Sequence, residues 1–568
     1  MLWAPVAPAQ LTEAGLAVLD HAGLPDAASW WAQGGRGLWQ PEVAAGLAPP
    51  AAFAGLVRGG WRLDEPGRAP AAVPWPGVVQ ARAPLAWYDS LTCASGGAAD
   101  GWDAAVAPAA GRAAAGEGRA LSAFTMGSGS AGLDESAITL ARSDSLYGLG
   151  LDAMSGTRGA GGGVERLGRH VWGARVRFVR GGHRFGGAIG QRGAAARLAG
   201  GEEQAVRGQS GSAEWDWERN GLRWAAGFAR GLDRHESFGS LVYSERSAQE
   251  TRLGAAFGLA RNARELEARL SWSQAEVRRS GARAFAERAD AFWAVARGAT
   301  PAAGGRLAFA LGAGHHGGVD RFDVAPSAEF TRPVGRLAAA LRVERLLTPV
   351  WSDLAAGYEP FLQHAWVGSA RLAAGGTGPW RARAGVRGGR VYSRAVADRL
   401  PLEEMWLRNG LRAEYGTYDF GLAEAGIEHA GRRFDAGLEG FGLAHHSTPA
   451  DLPQATARSA HADPDAGFRA WLGGRARFFR GDLGLALRGE AEGAGAREGG
   501  TTVPWRLPAY VSFSLLGEAS LGDVVAVWRL RNVEDRARAG TWTDRATGLP
   551  VIEGRRELQL RLVWRLFN

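Results

Sequence analysis

The feature that most constrains this chain is an alternation of apolar and polar residues that begins near Arg119 and runs to Phe567. In Trp172-Gly173-Ala174-Arg175-Val176-Arg177-Phe178, the residues Trp172, Ala174, Val176 and Phe178 share one face of an extended strand. Arg175 and Arg177 share the other, because successive side chains of a strand point to opposite sides. The pattern returns at Leu222, Trp224, Ala226 and Phe228, and at Leu266, Ala268, Leu270 and Trp272. It returns again at Trp380, Ala382, Ala384 and Val386 against Arg381, Arg383 and Arg387, and at Leu558, Leu560, Leu562 and Trp564. About 22 such segments recur at roughly 20-residue intervals, divided by turn residues. A one-sided soluble sheet alternates too, but this alternation continues far beyond one sandwich with almost no helical text.

No apolar run is long enough for a transmembrane helix. The longest candidate, Gly46 to Val57, contains Pro49 and Pro50 and reads as a loop. A chain without such helices crosses a bilayer only as a closed barrel, since nothing else satisfies every backbone group in lipid. The polar face carries Arg, Glu and Gly, as a water-filled lumen would, and aromatics recur near segment ends, as interfacial girdles do. A β-propeller would show a recurring signature every 40 to 50 residues or so, and none is present. The expected fold is all-β: a transmembrane outer-membrane barrel of about 22 antiparallel strands over residues 119–568, with 18 to 20 as the alternative.

Residues 1–118 read differently. Leu11 to Trp31 suggests a short helix closed by Gly23 and Pro25. Pro-, Gly- and Ala-rich text follows, with strand-like pieces such as Val78 to Ala81. This region is expected to be a small N-terminal plug, reduced or truncated. An outer-membrane protein needs an export signal, and MLWAPVAPAQ has neither a basic n-region nor a full apolar h-region. The expectation is therefore a mature chain, a misplaced start or a fragment.

Composition removes several function classes. The formal net charge is +8 and every one of the 66 basic residues is Arg. Because these arginines are spread along strands rather than gathered in one patch, nucleic acid is not an expected partner. Phosphate loops of the Walker type need a Lys, and no Gly-x-Ser-x-Gly elbow stands between a strand and a helix. No catalytic residue, cofactor or metal is assigned, and the chain is read as a non-enzyme. The lone Cys93 has no disulfide partner. His315-His316 and His445-His446, with His461, Asp463 and Asp465, are candidate metal ligands. Solvated loop residues are the preferred reading, because adjacent side chains in a strand diverge.

The inward arginines are the best functional feature: Arg175, Arg177, Arg381, Arg383, Arg387, Arg475 and Arg477 all fall on polar faces. They suit either a basic pathway that favours anions or a salt-bridged wall that keeps the lumen wet.

The two ends of the alternating region resemble TonB-dependent outer-membrane receptors. The closing text runs from VPWRLPAYVSFSLLGEASLGDVVAVWRLRNVEDRARAG to GLPVIEGRRELQLRLVWRLFN. It has a Pro (Pro508) before the third-last strand and an Asn-hydrophobic-x-Asp turn at Asn532-Val533-Glu534-Asp535. A Gly-Arg entry (Gly554-Arg555) then leads into a final amphipathic strand from Glu557 to Phe567. RALSAFTMGSGSAGLDES looks like the family's first strands, with Gly127 and Gly129 in the first turn. WRLDEPGR and the Ser95-Gly96-Gly97 stretch look like pieces of a plug. The final residue is Asn568 where such barrels usually end on an aromatic, and Phe567 falls on the other face from Trp564.

The resemblance implies a cell outer membrane of the Gram-negative type, contact with its lipid, and insertion by the barrel-assembly machinery. It implies uptake of an unidentified small-molecule ligand, energised through a TonB-type coupling protein; an anionic ligand follows only from the basic-pathway reading of the inward arginines. A passive porin-like channel, or a barrel adhesin or scaffold without transport, are the alternatives.

Overall fold

The computed structural model describes residues 62–64, 88–95 and 102–108, and the strands with most of their tight turns over 120–567, though not every side chain near the strand ends. Twenty-two strands close into one antiparallel barrel. Neighbours in sequence are neighbours in space, and the last strand, Glu557–Phe567, pairs back onto the first, Ala120–Gly129. Two small hairpins stand outside the wall: Arg497–Gly499 with Trp505–Leu507, and Arg538–Thr543 with Pro550–Glu553.

Gly127 and Gly129 lie inside the first strand, opposite Arg561 and Gln559, and not in the first turn as the resemblance implied. The closing ladder uses that stretch, which pushes the turn beyond Gly129. At the other end a register shift separates Arg565 from Phe567. Pairing resumes at Phe567–Ser122, two places from Trp564–Phe124 on the partner strand. A strand without this bulge would put Phe567 out of phase with Trp564.

One rim carries short turns. Gly181 and Gly182 have φ of 57° and 86°, and Asn220 and Gly221 have 52° and 78°. Positive φ at both central residues is what a two-residue turn between right-twisted strands requires. Positions 120 and 567 lie at this same rim. The opposite rim carries the longer connections 394–415, 449–465, 495–509 and 532–556, all in the C-terminal half.

The outward face is apolar, as the alternation requires. Val176 is 53% exposed, and Leu253, Leu270, Leu341, Leu472 and Leu560 are exposed beside it in the same band. Aromatics bound this band. Near the short turns stand Tyr147, Phe178, Phe185, Trp224, Trp380 and Phe434. There the Trp215 indole donates to His183 Nδ1 at 3.3 Å, and Trp224 lies 4.7 Å from Phe257, centroid to centroid. A second tier, Trp172, Phe292, Trp366 and Phe513, stands about nine to eleven residues from the short turns.

The N-terminal strands are not part of the wall. Arg62–Asp64 pairs parallel with Trp102–Pro108, which pairs antiparallel with Tyr88–Ser95, giving a separate three-stranded sheet. WRLDEPGR supplies its first strand, and Cys93 lies in its second. The expected helix over Leu11 to Trp31 and the strand-like Val78 to Ala81 lie outside the described residues.

Val176→Arg should impair assembly. Arg on the lipid face costs about 2–4 kcal/mol at mid-bilayer. Urea unfolding in micelles and the heat-dependent gel shift report the loss, and a variant as stable as the wild type would deny that this face meets lipid.

Candidate functional site

The candidate site is the inner wall, which the same alternation builds. It has two unlike halves. From His183–Leu198 to Tyr243–Arg261 the inward positions are mostly small: Gly186, Gly190, Ser212, Gly227, Gly254 and Ala256. Charge appears there near the turn rim. Arg223 donates to both oxygens of the buried Asp216, at 3.3 and 3.0 Å, and Arg184 stands 3.8 Å from Asp216 and 3.5 Å from Glu218.

The other half carries a ladder of arginines and carboxylates. Arg342 bonds Glu344 at 2.6 Å and Glu329 at 3.5 Å, and Arg371 approaches Glu329 at 3.8 Å. Further round, Arg469 meets Glu490 at 2.7 Å and Arg488 meets the same carboxylate at 3.1 Å. The Trp471 ring lies beneath both guanidiniums, 5.5 Å from that of Arg469 and 5.0 Å from that of Arg488. Trp471 lies over its cross-strand partner Gly437, where a Cβ would collide with the indole. A glycine is needed there because the flat ring occupies the space a side chain would take.

Five of the predicted arginines, Arg381, Arg383, Arg387, Arg475 and Arg477, lie in this half of the wall, and three of them meet carboxylates. Arg381 pairs with Glu428 at 3.4 Å, and Arg383 pairs with Glu439 two strands away. Arg383 crosses Gly426 to do so. A Cβ at Gly426 would stand 3.1 Å from Glu439 Cβ and 3.4 Å from Arg383 Nε. Arg475 reaches Asp435 at 3.4 Å. Arg387 sits between Ser369 and Leu422 in register, and Arg477 is exposed at the end of its strand near the turn. Arg175 and Arg177 lie in the strand Val164–Arg180, with side chains outside those described.

Sequence reasoning missed the acidic partners. Glu428, Glu439, Asp435 and Glu490 were legible as inward residues of their own segments, but the strand-to-strand register that aligns them with arginines was not. Several inward side chains are also buried: Trp293 and Glu344 are 2% exposed, Arg469 3% and Ser512 1%. The histidine pairs lie in strands rather than loops, His315-His316 ending Gly305–His316 and His445-His446 within Phe434–Thr448. Regular strand geometry turns the two members of each pair apart. His461, Asp463 and Asp465 lie outside the described residues.

The Asn532 turn is the most closely built feature at the loop rim. Asn532 is 4% exposed and has a φ of 48°, and Asp535 has a φ of 56°. The Asn532 amide donates to the Arg536 carbonyl at 2.7 Å, and Arg536 N–H donates back to Asn532 Oδ1 at 3.2 Å. Asp535 Oδ1 accepts the Arg556 N–H at 2.8 Å, one residue before the final strand begins. Val533 N–H donates to the Phe513 carbonyl at 3.0 Å. The turn thus ties the third-last strand to the entry of the last one.

No family model matches this sequence, and no curated protein does. Solved structures do. The copper transporter OprC is 12% identical, with 91% of this chain and 93% of that one covered at a TM-score of 0.70. The FrpB iron transporter from Neisseria meningitidis is 9% identical, covering 91% and 94% at a TM-score of 0.71. A mutant of the ferric enterobactin receptor PfeA from Pseudomonas aeruginosa is 8% identical, covering 90% and 91% at a TM-score of 0.70. What these likenesses share with the chain is the fold.

Removing one partner of a buried ion pair leaves an uncompensated charge, at a cost of about 3–5 kcal/mol. Glu490→Gln should therefore destabilise the barrel by about that amount, since Arg469 and Glu490 are only 4% and 9% exposed at the side chain. Unfolding in denaturant tests this, and the double variant R469M/E490M should recover most of the loss.

Proposed function

From a barrel of the TonB-dependent-receptor fold, we propose that this chain is an outer-membrane receptor that imports a small-molecule ligand. Residues 1–118 act as a reduced plug in the lumen, and a TonB-type protein of the inner membrane supplies the energy. The observation that carries this reading is the burial of inward side chains. Trp293, Glu344, Arg469 and Ser512 point into the barrel and are nearly inaccessible, whereas an open aqueous lumen would leave them wet. The three-stranded sheet that pairs outside the wall supports it too. The cargoes named for the similar structures, copper, iron and ferric enterobactin, belong to those proteins, and identities of 8 to 12% bring none of them to this chain. Pairing of Arg381 with Glu428 and of Arg383 with Glu439 neutralises two positions on which an anionic ligand most rested, so the proposal assigns the ligand no charge.

The test is deletion of residues 1–110. The remaining barrel should fold and show a higher conductance than the full chain in a planar bilayer. An unchanged conductance would sink the plug. A full chain that conducts freely without energy coupling would favour a porin.

In the deleted barrel, Glu428→Gln with Glu439→Gln should leave Arg381 and Arg383 uncompensated. The reversal potential in a salt gradient should then move toward anions, because unscreened charges act within about 8 Å at physiological salt. No movement would mean that these groups do not face the ion path.

A further inference from the structure

The ladder between the strands Arg321–Val334 and Leu337–Leu354 stops at the pair Ser327–Glu344. Beyond that point each strand stays paired with its other neighbour, the first as far as Arg321–His316 and the second as far as Leu354–Gly357. The break is therefore a seam between two intact strands and not a frayed end. Carried on, the register would set Pro326 against Arg345 and Phe322 against Pro349. Proline belongs to sheet edges because it cannot donate to a ladder, so each strand brings edge chemistry to the same seam in a closed wall.

An ion pair runs through the seam. Arg345 lies on the outward face, opposite Trp366 in register and two residues after the exposed Val343. Asp323 lies on the inward face, between the outward Phe322 and Val324 and opposite Gly314, where a Cβ would meet the buried Trp293. Side chains on opposite faces of a continuous sheet cannot meet. Yet Arg345 Nη2 stands 2.8 Å from Asp323 Oδ1, and its Nη1 donates to the Val324 carbonyl at 2.6 Å. The guanidinium crosses the thickness of the wall and latches the gap.

Apolar side chains flank both ends of this crossing. On the lipid side Phe322 is 65% exposed, with Phe292 and Val324 in the same row. On the inner side Ala325 is fully buried, and Trp293, Val295 and Val367 are buried with it. The strands Phe285–Ala302 and Gly357–Gly375, with three strands between them, approach within 8 Å, Cα to Cα, so the wall is creased around the seam.

We propose that this seam is a lateral opening through which the acyl chain of a single-chain carboxylate amphiphile passes between the bilayer and the lumen, held shut here by the Arg345–Asp323 pair. The apolar residues at both ends suit a hydrocarbon chain. Arg345, in the tier of Trp366, can exchange Asp323 for the carboxylate of the amphiphile, since a guanidinium fork serves either carboxylate alike. The inference rests on the membrane-spanning reading of the barrel, and on neither the plug nor energy coupling.

The test places the full chain in phosphatidylcholine nanodiscs with a fatty acid that carries a photoreactive diazirine at the end of its chain. Label is mapped residue by residue and read as the ratio of inward label, on Trp293, Ala325 and Val367, to outward label, on Phe322 and Val324. The wild type should carry inward label. Arg345→Gln should raise the ratio at least threefold, and Pro326→Val, which returns a donor to the ladder, should at least halve it. Arg390→Gln removes the outward Arg390–Asp419 pair at the same height and should leave the ratio within twofold of the wild type. An R345Q barrel that keeps its heat-dependent gel shift and shows an unchanged ratio overturns the inference. R390Q raising the ratio as far as R345Q overturns it too, because general loosening then explains the label. A wild type without inward label does the same. Should R345Q not fold, P326V decides, and an unchanged ratio in that variant overturns the inference. Loss of the gel shift in the wild type would instead count against the barrel spanning a membrane at all.

Discussion

A strand that crosses lipid has to pair its backbone on both sides, and the ladder between Ala120–Gly129 and Glu557–Phe567 is what makes that possible for all 22 strands at once. Where the ladder lapses, a side chain takes over. The strands Arg321–Val334 and Leu337–Leu354 pair only from Ser327 to Val334 and from Leu337 to Glu344. Pro326 stands at the break and has no N–H to donate. Arg345 fills the place, donating to the Val324 carbonyl at 2.6 Å and pairing with Asp323 at 2.8 Å. Its cross-strand neighbour is Trp366, in the outer aromatic tier, so this substitution of side chain for backbone occurs at the membrane edge.

Closure also decides what the interior can be. Once the outward positions are committed to lipid, every charge on the alternate positions is forced into a confined space. Arginines there are tolerable only with partners, and the wall supplies them across strands: Glu439 for Arg383, Asp435 for Arg475, Glu490 for Arg469 and Arg488. Glycines make these pairings reachable. Gly426 lets Arg383 pass to a carboxylate two strands away, and Gly437 makes room for the Trp471 ring that lies beneath two guanidiniums. The high glycine content is therefore partly the counterpart of the large side chains on neighbouring strands. The half of the wall without such side chains is lined instead by small residues, and the longer connections join strands of the charged half.

The sequence by itself determined the strand character, the outward face and the closing motif. Val176, Trp224 and Leu560 lie on the face their spacing assigns, because a strand has a period of two and no other. Pro508, the Asn532 turn and the strand Glu557–Phe567 stand where the text of the last 60 or so residues places them, since turn chemistry is local. Only the tertiary structure decided the partners of the inward arginines and the setting of the outward ones. Arg381 and Arg383 look like an unopposed basic stripe along one strand, yet Glu428 lies on the next strand and Glu439 on the one after. Arg207 and Arg234 lie 27 positions apart in the text and become direct neighbours once a hairpin fixes their register. Alternation fixes which way a residue points, but the register between strands is set by turn geometry and barrel closure, and it is register that chooses a charge's neighbours.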